Sequence, residues 1–136
     1  MVPPLFSIVT PVFNPPLYAL RECIDSVLSQ TFLNWEWCIT DDGSSDQEIL
    51  DLLKEASNSD PRISVQYRNT NGGIVAASND SLSMATGTFV AFLDHDDCLH
   101  ADALTQVALA INTHSDVDYI YTDEDKITEN GEHYDV

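Results

Sequence analysis

Short apolar runs alternate along the chain with longer segments in which apolar residues recur at helical spacing. The apolar runs are four to eight residues long in the way that buried strands are, and turn-forming residues bound them. They predict strands at residues 5–10, 35–40, 63–67, 89–93 and 117–122.

Helix-start signals follow the predicted strands. Pro15 and Pro16 open the first helix, where proline is tolerated because the first turn has no use for its missing N–H. Ser45 and Glu48 predict a capping box at the start of the second helix. Apolar positions at helical spacing predict further helices after residues 71–73 and over residues 101–111.

Strands that alternate with helices and are apolar on both faces predict an α/β fold, with a mostly parallel sheet covered by helices on both faces. A length of 136 residues with 43% apolar content fits a single domain over residues 1–136. No apolar run reaches the eighteen residues of a membrane span, and the first residues lack the basic leader of a signal peptide.

The chain is strongly acidic, with 23 acidic and 5 basic residues and a formal net charge of −18. This charge argues against a nucleic-acid partner, and it means that a phosphate ligand must arrive with a cation. The three cysteines show no paired spacing, which predicts reduced thiols and a cytoplasmic protein. Cys98 follows several carboxylates, which disfavour a nucleophilic thiolate.

Acidic residues cluster directly after predicted strands, at residues 41–42, 94–97 and 123–125. Because the carboxyl ends of parallel strands meet at one edge of a sheet, these clusters should converge on the ligand crevice. Mutual repulsion makes that arrangement costly unless a cation or a donor-rich ligand compensates it. The sequence therefore predicts a binding site at this edge.

Asp94 and Asp96, one residue apart after a strand, can face a hard cation such as Mg²⁺ or Mn²⁺. A calcium EF-hand loop is a poor alternative, because counting from Asp94 places Leu99 and Thr105 where glycine and glutamate are required. The histidines lack a partner at zinc-ligand spacing, so His95 is interpreted as a spacer or a supporting group.

The same edge offers groups for a nucleotide. Thr10 and Pro11 begin the turn after the first strand, and Asp41 and Asp42 offer acceptors that suit the imide N3–H of uracil or thymine. Capping of the following helix, together with the neighbouring serines, is the alternative for the two aspartates. The Asn-Gly-Gly turn at residues 71–73 could bring backbone N–H groups to a phosphate or could be a plain turn.

Four segments together carry a family resemblance. FSIVTPVFN, LRECIDSVLSQTF, ITDDGSSD and NGGIVAASNDSLSMATGTFVAFLDHDD resemble the family-2 glycosyltransferases in order and spacing, from about Leu5 to Lys126. The segment YTDEDKI is similar to one in polysaccharide and rhamnan-type members.

The resemblance implies a GT-A fold, which is Rossmann-like, and a donor that is a nucleotide diphosphate sugar of the UDP or dTDP type. It implies that Thr10 and Asp42 contact the base and that Asp94-His95-Asp96 is the DxD-type motif. Asp96 would hold a divalent metal on the diphosphate, and Asp94 would face the ribose or the metal. The expected reaction is inverting transfer to a saccharide acceptor in polysaccharide synthesis.

Complete family members have a second half that binds the acceptor and supplies the general base. We expect that base beyond Val136, so that this chain is the donor domain of a longer glycosyltransferase. A sugar nucleotidyltransferase is the alternative enzyme, but residues 11–16 lack its glycine-rich, basic signature. A nucleotide- or metal-binding module without turnover is the non-enzymatic alternative.

Overall fold

The computed structural model of the protein describes residues 4–113 and 126–128. None of the helices within these residues is both long enough and apolar enough to cross a membrane. The described elements are, in chain order, β1 (Phe6–Val12), α1 (Leu17–Leu28), β2 (Trp35–Asp41), α2 (Gln47–Ser59), β3 (Ile63–Tyr67), α3 (Ile74–Met84), β4 (Phe89–Phe92), α4 (Ala103–Thr113) and β5 (Lys126–Thr128).

The strands form one sheet in the order β3-β2-β1-β4-β5. Strands β1 to β4 are parallel to one another, and β5 pairs antiparallel with β4 at the edge. This confirms the predicted α/β fold with a mostly parallel sheet. The first strand runs two residues further than predicted, to Val12, and the strand predicted at residues 117–122 lies outside the described residues.

Helices cover both faces of the sheet. Side chains of a strand alternate between its faces, and on one face Phe6 and Ile8 of β1 share a core with residues of α1, α2 and α4. On the other face α3 packs against β1 and β2, where the buried hydroxyls of Thr40 and Ser81 lie 2.7 Å apart. The carboxyl-terminal edge of the parallel strands is left for loops.

The capping box predicted for Ser45 and Glu48 is wrong by one residue. Helix α2 begins at Gln47, and its N-cap is Asp46, whose carboxylate accepts a hydrogen bond from the Glu48 N–H at 3.0 Å. The backbone N–H of Ser45 instead donates to the side-chain oxygen of Asn14 at 3.0 Å. Ser45 is therefore held by the turn after β1, and Asp46 caps the helix.

Candidate functional site

A cavity of about 370 Å³ opens where β1, β2 and β4 end, beside the first turn of α3. Two of the three acidic clusters contribute to it, so these two converge as predicted. The cluster at residues 123–125 lies outside the described residues. The lining consists of Pro11, Val12, Phe13, Asp42, Asn71, Gly73, Ile74, Ala77, Asp94, His95 and Asp96.

Asp42 contributes a nearly buried carboxylate to the cavity wall. Its oxygens accept hydrogen bonds from the backbone N–H groups of Gly72 (2.9 Å) and Gly73 (2.8 Å). The Nε of Arg68 lies 3.1 Å from Oδ1 and forms an ion pair with it. A carboxylate has about four acceptor positions, so Asp42 keeps capacity for a donor in the cavity.

Asp41, the other member of the acidic pair, points into the protein. It is 1% exposed, it does not line the cavity, and its Oδ2 accepts from the Ser44 N–H at 2.9 Å. The sequence left two roles open for this pair, contact with a nucleotide base and stabilisation of the local turn, and the structure gives a different role to each aspartate. Asp41 fixes its own loop, whereas Asp42 reaches the cavity.

Thr10 and Pro11 differ in the same way. Thr10 is fully buried, and its Oγ1 accepts a hydrogen bond from the indole N–H of Trp37 at 2.8 Å. Pro11 lines the cavity. The structure therefore places Pro11 in the candidate site and Thr10 beneath it.

The turn at residues 71–73 is held by Asp42. Since the N–H groups of Gly72 and Gly73 both donate to that carboxylate, they are engaged within the protein, and the structure favours the plain turn over the phosphate-binding alternative. Gly73 adopts a φ of +95° as the N-cap of α3, a backbone conformation that favours glycine.

The loop after β4 gathers carboxylates. Asp94, Asp96 and Asp97 are exposed, and one ligand oxygen from each lies within 4.8 Å of the others. The Asp97 N–H donates to the Asp94 C=O at 3.1 Å, which tightens the turn. Oxygen ligands at this separation fit a hard divalent cation such as Mg²⁺ or Mn²⁺. Asp97 is a third candidate ligand beside the predicted pair.

His95 joins the turn after β1 to the loop after β4. Its Nδ1 accepts a hydrogen bond from the Phe13 N–H at 3.2 Å. Because Nδ1 already accepts this hydrogen bond, it links the two loops. This contact supports the interpretation of His95 as a supporting group between two aspartates.

Helix α1 anchors the loop after β4 through residues that the sequence reasoning missed. Gln30 is buried, and its amide donates to the His100 C=O at 2.7 Å and accepts from the Leu104 N–H at 3.2 Å. Ser26 accepts from the Leu99 N–H at 3.0 Å. Ser26 lies on α1, and Gln30 follows Ser29, the C-cap of that helix. Polar residues four apart at the end of an otherwise apolar helix face are the signal that could have found them.

The thiols are free and are not activated. Burial raises the pKa of Cys38 to about 12 and that of Cys23 well above its usual range. Partial burial, followed by the charges of Glu22 and Asp97, raises the pKa of Cys98. These directions agree with the prediction that Cys98 is not a nucleophile.

Comparison with known proteins assigns the family. The model of the family described as "Glycosyl transferase family 2" matches residues 7–135. The chain therefore belongs to glycosyl transferase family 2. This membership agrees with the resemblance in the four sequence segments and favours a glycosyltransferase over a nucleotidyltransferase.

Two relatives of this chain are proteins several times longer. It is 47% identical over 94% of its length to an uncharacterized protein, y4gI, of Sinorhizobium fredii, and it spans 14% of that protein. It is 38% identical over 94% of its length to the O-antigen biosynthesis protein RfbC of Myxococcus xanthus, of which it spans 10%.

Solved structures support the GT-A fold. S. aureus TarS 1-349 in complex with UDP-GlcNAc is 31% identical, with a TM-score of 0.74 over 81% of this chain and 32% of that one. The mannosyltransferase PcManGT of Pyrobaculum calidifontis, in complex with GDP-Man and Mn²⁺, has a TM-score of 0.72 over 87% of this chain and 34% of that one. Its 20% identity supports the fold alone.

Proposed function

We propose that this chain is the donor-binding domain of a metal-dependent glycosyltransferase that uses a UDP or dTDP sugar. The observation that carries the proposal is the cavity at the carboxyl-terminal edge of the sheet. It brings Asp42 to one side, Asp94 and Asp96 to the other, and the partly exposed ring of Phe13 between the loops. The domain assignment to residues 1–136 is part of this proposal.

The base lies beside Asp42 in this proposal. The carboxylate accepts from the imide N3–H of uracil or thymine, whereas cytosine has no donor at that position. Phe13 is 44% exposed and can offer its ring face to the base. Pro11 and Ile74 contribute apolar lining. The UDP-GlcNAc complex of TarS, a related structure, supports this choice of donor.

The diphosphate lies beside the loop after β4. Asp94 and Asp96, with Asp97 in reach, would hold the Mn²⁺ or Mg²⁺ ion, which supplies neutralisation of the charge on the leaving diphosphate. In this arrangement Asp42 accepts hydrogen bonds, and Asp94 and Asp96 bind the metal ion, so none of these three carboxylates is available as a general base. Inverting transfer then needs a separate general base near the acceptor hydroxyl, which we place outside this sequence.

The acceptor is a saccharide, and the whole protein acts in polysaccharide synthesis. The name of the related O-antigen biosynthesis protein RfbC supports this part of the proposal. The unpaired cysteines favour a reducing, cytoplasmic compartment.

Titration calorimetry with UDP tests the proposal. We expect binding in Mn²⁺ or Mg²⁺ and at least ten-fold weaker binding in EDTA, because a cation held by Asp94 and Asp96 would neutralise the repulsion between these carboxylates and the diphosphate. An equal affinity in EDTA would remove the metal role of Asp94 and Asp96. The absence of any UDP or dTDP binding would refute the proposed function.

Asp42→Asn tests the base recognition. An amide of the same shape loses the charge and turns one acceptor into a donor, so UDP and dTDP affinity should fall by roughly 1.5–3 kcal/mol while the weak binding of CDP changes little. Asp51→Asn, on the exposed face of α2, is the matched control. Equal losses for all three nucleotides would assign Asp42 to the fold or the phosphates instead.

A further inference from the structure

Arg68 directly follows β3 and connects two acidic residues that lie far apart in the sequence. Its Nε is 3.1 Å from Oδ1 of Asp42, directly after β2, and its Nη1 is 2.6 Å from Oδ2 of Asp80, on α3. The guanidinium lies behind the cavity wall, since Asp42 lines the cavity and Arg68 does not.

The turn at residues 71–73 is packed between these partners. Asp42 accepts from the backbone N–H groups of Gly72 and Gly73. A Cβ on Gly72 would lie 2.5 Å from Nη2 of Arg68, so a larger residue at this position would require the guanidinium to shift. The neighbouring residues Asn71, Gly73 and Ile74 line the cavity.

The Asp42 carboxylate needs a positive partner where it stands. Its side chain is 3% exposed, and a carboxylate removed from water is costly unless it is both paired and hydrogen-bonded. Two neutral N–H groups supply the hydrogen bonds, and Arg68 supplies the charge. Asp80 in turn fixes the guanidinium from α3.

We propose that Arg68 is a positioning residue for the nucleobase end of the site, and that Asp80 orients Arg68. Arg68 holds the Asp42 carboxylate and the turn at residues 71–73 in one arrangement, which sets the direction of the acceptor that faces the base. This inference rests on the proposed function, and it adds a residue that touches neither the nucleotide nor the metal.

The test compares UDP with inorganic pyrophosphate, both in Mn²⁺, on the 136-residue chain. Arg68→Ala should weaken UDP binding about ten-fold or more, which is the size expected for a lost charge-assisted contact. Pyrophosphate binding should stay within about two-fold of the wild type, because the loop after β4 keeps its own anchors. Arg68→Lys, which keeps the charge without the planar fork, should recover part of the UDP affinity.

Two further variants complete the set. Arg62→Ala is the control, because Arg62 pairs with Asp60 at 2.7 Å and lies over the Trp35 ring, away from the cavity. Asp80→Asn removes only the charge that orients Arg68, so it should weaken UDP binding by a few-fold. If Arg68→Ala does not fold, the UDP affinity of Asp80→Asn tests the positioning role in its place.

The outcomes separate the two proposals. Equal UDP affinity in the Arg68, Asp80 and Arg62 variants would overturn the positioning role while leaving the donor site intact. Parallel losses of UDP and pyrophosphate would show that Arg68 serves only the fold. A wild-type chain that binds neither ligand would overturn the proposed function together with this inference.

Discussion

Single residues hold the candidate site in place before a ligand arrives. Asn14 adopts a left-handed φ of +45° after β1, and its side-chain oxygen accepts from the Ser45 N–H while its backbone N–H donates to the Ser44 hydroxyl at 2.9 Å. Asparagine tolerates this conformation better than most residues. The turn after β1 is thus fixed to the loop after β2 next to the cavity.

Gly43 is the residue at which this packing has the sharpest consequence. Its φ is +81°, and a Cβ there would lie 3.0 Å from the Asn71 backbone nitrogen. Gly73 shares a positive φ of +95°, but a Cβ there would meet open space. A side chain at Gly73 would meet backbone strain alone, whereas a side chain at Gly43 would meet both backbone strain and a steric clash.

We expect Gly73→Ala to cost roughly 1–3 kcal/mol of unfolding free energy, since its φ of +95° and ψ of 165° form a backbone conformation almost restricted to glycine. Gly43→Ala adds the contact with Asn71 and should cost about 3 kcal/mol or more. Denaturant unfolding of both variants provides the measurement. Equal losses would show that the Asn71 turn yields to the added methyl group without cost.

At the scale of elements, the segment directly after helix α1 and the loop after β4 form one unit. The Gln30 side chain reaches both the His100 C=O and the Leu104 N–H, and the Thr31 N–H donates to the Ala101 C=O at 3.0 Å. The candidate metal ligands stand at the start of that loop. The position of their carboxylates therefore depends on the segment directly after α1, which precedes the loop by about seventy residues.

Gln30→Ala should destabilise the protein and weaken metal binding together. The His100 C=O keeps the Ala103 N–H as a donor, whereas the buried Leu104 N–H loses its acceptor. Leaving such a group without a partner costs about 1–3 kcal/mol, and a loss of that size is expected in denaturant unfolding. Mn²⁺ affinity, measured by calorimetry at a temperature where the variant is folded, should also fall.

Gln47→Ala is the control for Gln30. Gln47 is exposed at the start of α2, where it donates to Asp51 at 2.9 Å, so its loss should stay within roughly 0.5 kcal/mol. A Gln30 variant with lower stability and unchanged Mn²⁺ affinity would show that the carboxylates of the loop hold their positions without the Gln30 contacts.

The order of the elements and the edge that carries the site could be predicted from the sequence, because both follow from local periodicity and from the rule for parallel sheets. The partner of each side chain could not. Asp41 and Asp42 are adjacent and face opposite sides of the sheet, and which side holds the cavity depends on where α3 packs. For the same reason the sequence could not predict that the N–H groups of Gly72 and Gly73 donate to Asp42, because these hydrogen bonds join residues 30 and 31 positions apart.

The whole molecule is an acidic body with an acidic cavity. The formal net charge is −18, and the arginines Arg62 and Arg68 are both paired with carboxylates. A diphosphate approaching the cavity therefore meets repulsion, whereas a divalent cation is attracted. Because salt screens both the repulsion and the attraction, added salt should affect the binding of the diphosphate and of the cation in opposite directions.

We expect sodium chloride to change the two affinities in opposite directions. Raising the ionic strength from ~0.01 M to ~0.15 M shortens the Debye length from about 30 Å to about 8 Å. Without divalent metal, UDP binding should strengthen as the repulsion is screened, while the binding of Mn²⁺ alone should weaken as its attraction is screened. Uridine, which is uncharged, is the control and should change little. Calorimetry in EDTA for UDP and uridine, and in nucleotide-free buffer for Mn²⁺, provides the three titrations. If UDP binding in EDTA instead weakened with added salt, the diphosphate would be meeting a positive surface, and the proposed metal bridge between the carboxylates of the loop after β4 and the donor would be wrong.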